Sequence, residues 1–336
     1  MPDSLDVVAL ARDLMAIDST SGRETALMGH VHAMLEQRGW TVTRIPVSEG
    51  RFDVFARWSD APFVTLSTHL DTVPPHIAPS LDGDTLRGRG ACDAKGIAAA
   101  MICAADTLRG AGVPVALLFV VGEEVSHDGA HAADAWIAHS GLTSRAIVDG
   151  EPTESMLGSG TKGAVRVIAR TAGRPAHSAY PQLGHSAIDD LVALLAELPA
   201  LELPRHAVLG ETTINIGHIS GGVADNVVAP WAEARLMARL VTPAEVLMPV
   251  LERWARGRAE LEWGVMVPPV MLGVLPGFET AVVAFATDIP ALGNWGTPYL
   301  FGPGSIHVAH RDDEHVRVAE LRAAVEAYAR IVRALA

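Results

Sequence analysis

Val113-Pro114-Val115-Ala116-Leu117-Leu118-Phe119-Val120-Val121-Gly122-Glu123-Glu124 is the stretch that decides the fold. Residues 113–121 carry no polar side chain, as a strand buried on both faces requires, and such strands belong to parallel sheets covered by helices. Upstream, residues 94–109 are Ala-rich and helical, and short apolar runs at 41–45, 53–58 and 63–68 read as strands separated by turn residues. Downstream, a helix is predicted at 129–139 and a strand at 144–148. This alternation of strand and helix specifies an α/β domain.

Further out, residues 4–16 read as an amphipathic helix with Leu5, Val8, Ala11, Leu14 and Met15 on one side and Ser4 as N-cap. A second helix runs from about Arg23 to Gln37 and stops at Gly39. After Gly163 the pattern changes. A strand at 163–171, a helix at 185–197, strands at 211–219 and 232–241, a helix at 243–257 and a strand at 260–267 give β-α-β-β-α-β, the split βαβ order of a ferredoxin-like domain. Pro268 and Pro269 mark its exit. A helix at 277–286, a strand at 298–301, a loop at 302–315 and a helix at 316–335 complete the chain. The fold class is α/β: a discontinuous domain, 1–162 and 269–336, with an α+β domain, 163–268, inserted.

Composition narrows the function. At 336 residues and 49% hydrophobic, the chain has material for two domains and large cores. A net charge of −13 argues against nucleic acid or an anionic membrane as partner. The two cysteines, Cys92 and Cys103, are neither a disulfide framework nor a zinc knuckle. The N-terminus lacks the basic and apolar regions of a signal peptide, and no apolar run has membrane-spanning length. The expectation is a soluble, cytoplasmic protein.

Charged residues gather where the predicted strands end, which is where open α/β sheets collect ligands and catalytic groups. Thr68-His69-Leu70-Asp71 closes the strand at 63–68; a His can bind metal through one ring nitrogen while a nearby carboxylate fixes its tautomer. Gly88-Arg89-Gly90-Ala91-Cys92-Asp93 precedes the Ala-rich helix, and taken alone Asp93 reads most simply as its N-cap. Glu123 and Glu124 follow the buried strand. Adjacent carboxylates there suit a solvated loop, or a division of labour in which one binds metal and the other moves a proton. Asp149-Gly150-Glu151-Pro152 follows the next strand. Gly302-Pro303-Gly304-Ser305-Ile306-His307-Val308-Ala309-His310-Arg311-Asp312-Asp313-Glu314 reads as a polar turn with Asp312 or Asp313 capping the last helix. In combination, the ordered His, Asp, Glu, Glu and His suit a site for two metal ions sharing one carboxylate, with zinc favoured by mixed N/O donors and cobalt or manganese as alternatives.

Together these motifs resemble, over essentially the whole chain, the family that includes acetylornithine deacetylase, succinyl-diaminopimelate desuccinylase, aminoacylase and carboxypeptidase G. The resemblance implies a zinc-peptidase-like catalytic domain and an inserted lid and dimerisation domain. It implies His69 and Glu151 as ligands of one metal, Glu124 and His310 of the other, and Asp93 as the bridge. Glu123 is implied as general base and Asp71 as the support of His69. His310 is preferred over His307, and Glu151 over Asp149, because they match the family's His-x-x-Asp-Glu and Gly-Glu-Pro patterns. Pro175-Ala176-His177-Ser178-Ala179 is similar to the segment whose His stabilises the tetrahedral intermediate in a partner subunit's site, which implies a homodimer. Asn226, in Gly221-Gly222-Val223-Ala224-Asp225-Asn226, and Arg239 match substrate-binding positions. Cys92, Ala229, Met237 and Ala286, the last in Ala286-Thr287-Asp288, depart from the family's usual residues.

The expected activity is hydrolysis of an N-acyl, first of all N-acetyl, amino acid in the manner of acetylornithine deacetylase. A dipeptidase or carboxypeptidase is the alternative within the family, so the partner molecule is an acyl amino acid or short peptide. A non-catalytic metal-binding or scaffold protein is the alternative of another class. A nucleotide-binding reading is disfavoured, because Gly88-x-Gly90 and Gly302-x-Gly304 lack phosphate-loop spacing.

Overall fold

The apolar run forms the strand Val115–Val120, buried at every residue. It sits third in a six-stranded sheet of order Thr41–Ser48, Arg51–Arg57, Val115–Val120, Phe63–His69, Ser144–Asp149 and Thr297–Leu300. The last four strands are mutually parallel and the first two antiparallel. Residues 5–336 are described in the structure, a computed structural model. By its contacts the chain divides into two units. One holds the residues up to Ser159 with Leu272–Ala281 and Thr287–Ala336; the other holds Gly160–Met271 with Val282–Ala286.

In the first unit, helices cover both faces of the sheet. Helix Lys95–Gly110 is buried along most of its length and packs against helices Val7–Met15 and Val318–Leu335. Its alanines permit that close approach, because they present no side chain to splay neighbouring helices apart. The opposite face is covered by helix Asp128–Ser140 over Phe55, Phe63 and Trp295. The first helix starts at Val7, capped by the Asp6 carboxylate, which accepts from the N–H groups of Val8 and Ala9. Ser4, the expected cap, lies outside the described residues. The last helix is capped by Arg317, whose backbone N–H donates to Glu320, so neither Asp312 nor Asp313 serves there.

The second unit carries a four-stranded antiparallel sheet of order Thr213–Gly221, Trp231–Leu240, Gly163–Ala172 and Glu260–Val267. Helices Ala187–Ala196 and Ala244–Ala255 pack with it through Leu191, Leu194, Leu247, Leu251 and Trp254. Strict alternation of burial along Trp231–Leu240 produces this: its even-numbered residues enter the core and its odd-numbered ones do not. The β-α-β-β-α-β order is the one read from the sequence.

One element differs. Residues 277–286 do not form a helix; Thr280–Val283 is a short strand. The β-branched Thr280, Val282 and Val283 favour extended backbone, and Pro276 and Gly277 precede them without a helix cap.

Candidate metal centre

Every charged motif of the first unit meets at the carboxyl edge of its parallel strands. His69 is the last residue of its strand and is buried. Its Nδ1 lies 3.0 Å from the backbone carbonyl of Asp71 and 3.5 Å from the Asp71 carboxylate. A ring held to donate from Nδ1 presents an unprotonated Nε2 for coordination. That Nε2 faces Asp93 Oδ1 at 3.0 Å and Glu151 Oε1 at 4.0 Å. The other Asp93 oxygen lies 3.3 Å from His310 Nε2, which is 3.0 Å from Glu124. His69, Asp93 and Glu151 thus form one potential metal-holding group and Asp93, Glu124 and His310 a second, with Asp93 common to both.

Asp93 does not cap the helix that follows it. Ala94 takes that position, and the Asp93 side chain turns toward the two histidines. Its loop is shaped by Glu314, a buried carboxylate that accepts from the backbone N–H groups of Cys92 and Asp93 and from Arg89 at 2.7 Å. Arg89 in turn donates to the carbonyls of Pro75 and Arg311. Glu314 and Arg89 stand inside the sequence motifs, but nothing in the local pattern marks them for this role. Cys92 is packed here, its thiol pushed well up by burial and by Glu314 and Asp93. A neutral, inaccessible thiol is not a reactive one.

The Asp71 carboxylate does more than support His69. It accepts from the backbone N–H groups of Glu123 at 3.1 Å and Glu124 at 3.2 Å, and from Ser21 at 2.8 Å. One side chain therefore fixes both a histidine and the turn that carries the paired glutamates. Gly122 opens that turn at φ +79°, and a Cβ there would fall 2.1 Å from Asp128 Oδ1, so only glycine fits.

The electrostatics match a cation-binding cavity. Burial would lower His69, but Asp71 and Asp93 carry its pKa well above the usual histidine value. Hydrogen bonds to Asp93 and Glu124 push His310 up to about 10. Burial would raise Asp93, yet the two histidines hold it low. Glu151 is pushed up by burial and by Glu123 and Asp93. Glu123 is pushed up by burial and by Asp288, Asp93 and Glu124. A cluster of carboxylates that draws protons onto its histidines and glutamates has unmet demand for positive charge, and two imidazoles with three carboxylates are a donor set that suits divalent ions. His307 lies outside both groups. Asp149 is buried and raised to about 8 by burial and by Asp288.

His177, Asn226 and Arg239 belong to the second unit. His177 forms a bridge with Val227, and Ser178 N–H donates to the Asn226 carbonyl, so the two segments lie side by side. Arg239 sits on the strand Trp231–Leu240, opposite Thr213 and Ala164.

A parallel sheet whose carboxyl edge holds two carboxylate–histidine groups joined through one aspartate, with a spare glutamate beside them, is the architecture of a metal-dependent amidohydrolase. The chain belongs to the peptidase family M20/M25/M40, whose model it matches over residues 65–334. It is 40% identical to a probable carboxypeptidase of Aspergillus terreus, over 96% of this chain and 85% of that one. It is 36% identical to a peptidase M20 domain-containing protein of Schizosaccharomyces pombe, over 99% and 85% respectively. A tripeptidase of Staphylococcus aureus has the same fold, with a TM-score of 0.83 at 19% identity and coverage of 99% of this chain and 98% of that one. Among the described residues, no helix is long and apolar enough to cross a membrane.

Proposed function

We propose that the chain is a carboxypeptidase or dipeptidase acting on short peptides. The carrying observation is Glu123 standing beside two potential metal-holding groups that share Asp93. The 40% identity to a probable carboxypeptidase favours peptides over the N-acetyl amino acids that the sequence motifs first suggested.

On this reading His69, Asp93 and Glu151 hold one divalent ion, and Asp93, Glu124 and His310 the other, with zinc suited to the N/O donors. Such ions, when bound, supply Lewis acidity toward a carbonyl oxygen and toward water. The remaining work belongs to the chain. Glu123 takes a proton from the attacking water and returns it to the leaving nitrogen. Asp71 holds His69 and the Glu123 turn in place throughout. From the second unit, Arg239 pairs with the peptide carboxylate, Asn226 contacts the substrate, and His177 donates to the developing oxyanion. His177 does so from a second copy of the chain in a homodimer.

A panel tests this in the zinc-loaded protein: dipeptides, N-blocked dipeptides, C-amidated dipeptides and N-acetyl amino acids. A carboxypeptidase cleaves the N-blocked peptides and a dipeptidase the free ones. Neither cleaves the amidated set efficiently, because the partner of Arg239 is gone. Clear preference for N-acetyl amino acids would instead select the deacylase reading. Two equivalents of metal with no hydrolysis of any member would select a non-catalytic metal-binding protein.

A further inference from the structure

His127 is one of few non-glycine residues with left-handed backbone, at φ 55°. It closes the turn that carries Glu123: its N–H and that of Ser126 donate to the Gly122 carbonyl at 2.8 and 2.9 Å. Glycine or asparagine fits such a position better than histidine does. The ring shows why histidine stands there, since its Nδ1 lies 2.8 Å from Asp288 Oδ1. Asp288 is buried, and its own segment is fixed by Ile289 N–H donating to the Thr287 hydroxyl and Ala291 N–H donating to the Asp288 carbonyl. Asp288 therefore ties the second half of the Glu123 turn to the segment 287–291. Asp71 holds the first half of the turn, at the N–H groups of Glu123 and Glu124. In its second half, residues 125–127, the His127 ring is the group that bonds beyond the turn and the helix that follows it.

We infer that His127 and Asp288 are a positioning pair that sets the Glu123 carboxyl relative to the His69–Asp93–Glu151 group, so that their loss lowers turnover more than substrate binding. The inference rests on Glu123 as the proton-transferring group. It adds to that reading a third support of the catalytic turn, beyond Asp71 and the helix that follows.

The test uses the full chain loaded with zinc and the best peptide from the panel. In His127→Gly the backbone is relaxed and no side chain reaches Asp288. In His127→Asn the left-handed backbone is tolerated and Nδ2 occupies the place of the ring Nδ1. Asp288→Ala removes the partner. Expected results are a kcat lower by about 10–100-fold in His127→Gly, the range for groups that orient a metal site from outside. KM stays within roughly threefold and both metals are retained, and His127→Asn recovers most of the turnover. A crystal structure of His127→Gly should show the Glu123 carboxyl displaced while Glu124 and Glu151 keep their places. Should Asp288→Ala fail to fold, the His127 series decides. Wild-type kcat in His127→Gly, no recovery in His127→Asn, or an unmoved Glu123 in the crystal overturns the inference. Failure of the peptidase reading looks different: no panel peptide is cleaved by the wild type, or Glu123→Gln stays active. The position of Glu123 in His127→Gly is read independently of either.

Discussion

Glu123 and Glu124 are adjacent in the chain yet face different neighbours. Glu124 lies 3.0 Å from His310 and belongs to a metal-holding group. Glu123 belongs to neither group, and burial together with nearby carboxylates raises its proton affinity. That division supports a ligand and a base. Glu123→Gln keeps the shape and removes the proton acceptor, so kcat should fall by about 10²–10⁴ while metal content and KM change little. Loss of metal in this variant, measured by elemental analysis, would assign Glu123 to the ligands instead. Asp149 makes a separate prediction. Its carboxyl is held up to about 8 against an ordinary 3.8, chiefly by burial and then by Asp288. Between roughly pH 4 and 8 the folded, metal-free chain keeps a proton that the unfolded chain releases, so stability falls as pH rises through that window. Urea unfolding at several pH values should show this slope, and Asp149→Asn should lessen it, leaving the part that the raised Glu123 and Glu151 contribute in the same sense. An unchanged slope in the variant would place the dependence elsewhere.

Whether an element can be read in advance depends on what holds it. Val115–Val120 is legible because a strand buried on both faces must be continuously apolar. Trp231–Leu240 is legible because one face is buried and the sequence alternates. Residues 277–286 mislead because an apolar stretch that short carries no decisive period, and its β-branched residues settle as a strand. The glycines at 302 and 304 belong to this scale too. Neither serves a phosphate loop. A Cβ on Gly302 would fall 2.4 Å from the Glu151 carbonyl oxygen, and one on Gly304, at φ +81°, 2.7 Å from Cys92 Cβ. The final loop can therefore lie against the Asp93 and Glu151 segments only with glycine at both places. Gly302→Ala should destabilise the fold by about 1–3 kcal/mol, as overpacking does, and weaken metal retention. Wild-type thermal stability and metal content together would show that the loop can move aside.

At the scale of the whole molecule, metal binding, proton release and folding are linked. His310 is held up to about 10, so at pH 7 the metal-free protein carries a proton that a ligand to metal must give up. Calorimetric titration with zinc, in buffers of different ionisation enthalpy, should report release of about one proton or more per chain, reduced in His310→Ala. No release would mean that His310 is not a ligand.

The sequence by itself determined the α/β class, the β-α-β-β-α-β order of the second unit, and the chemical types gathered at the strand ends. These follow from hydrophobic period and from local order along the chain, which a sequence carries directly. The motif patterns already favoured His310 over His307 and Glu151 over Asp149; the tertiary structure supplied the distances, with His310 3.3 Å from Asp93 and Glu151 4.0 Å from His69. It alone placed Asp71 beneath the glutamate turn, 52 residues away along the chain, and His127 against Asp288, 161 residues away. Contacts between residues so distant in sequence depend on how the sheet orders and registers its strands, and no local pattern encodes that distance.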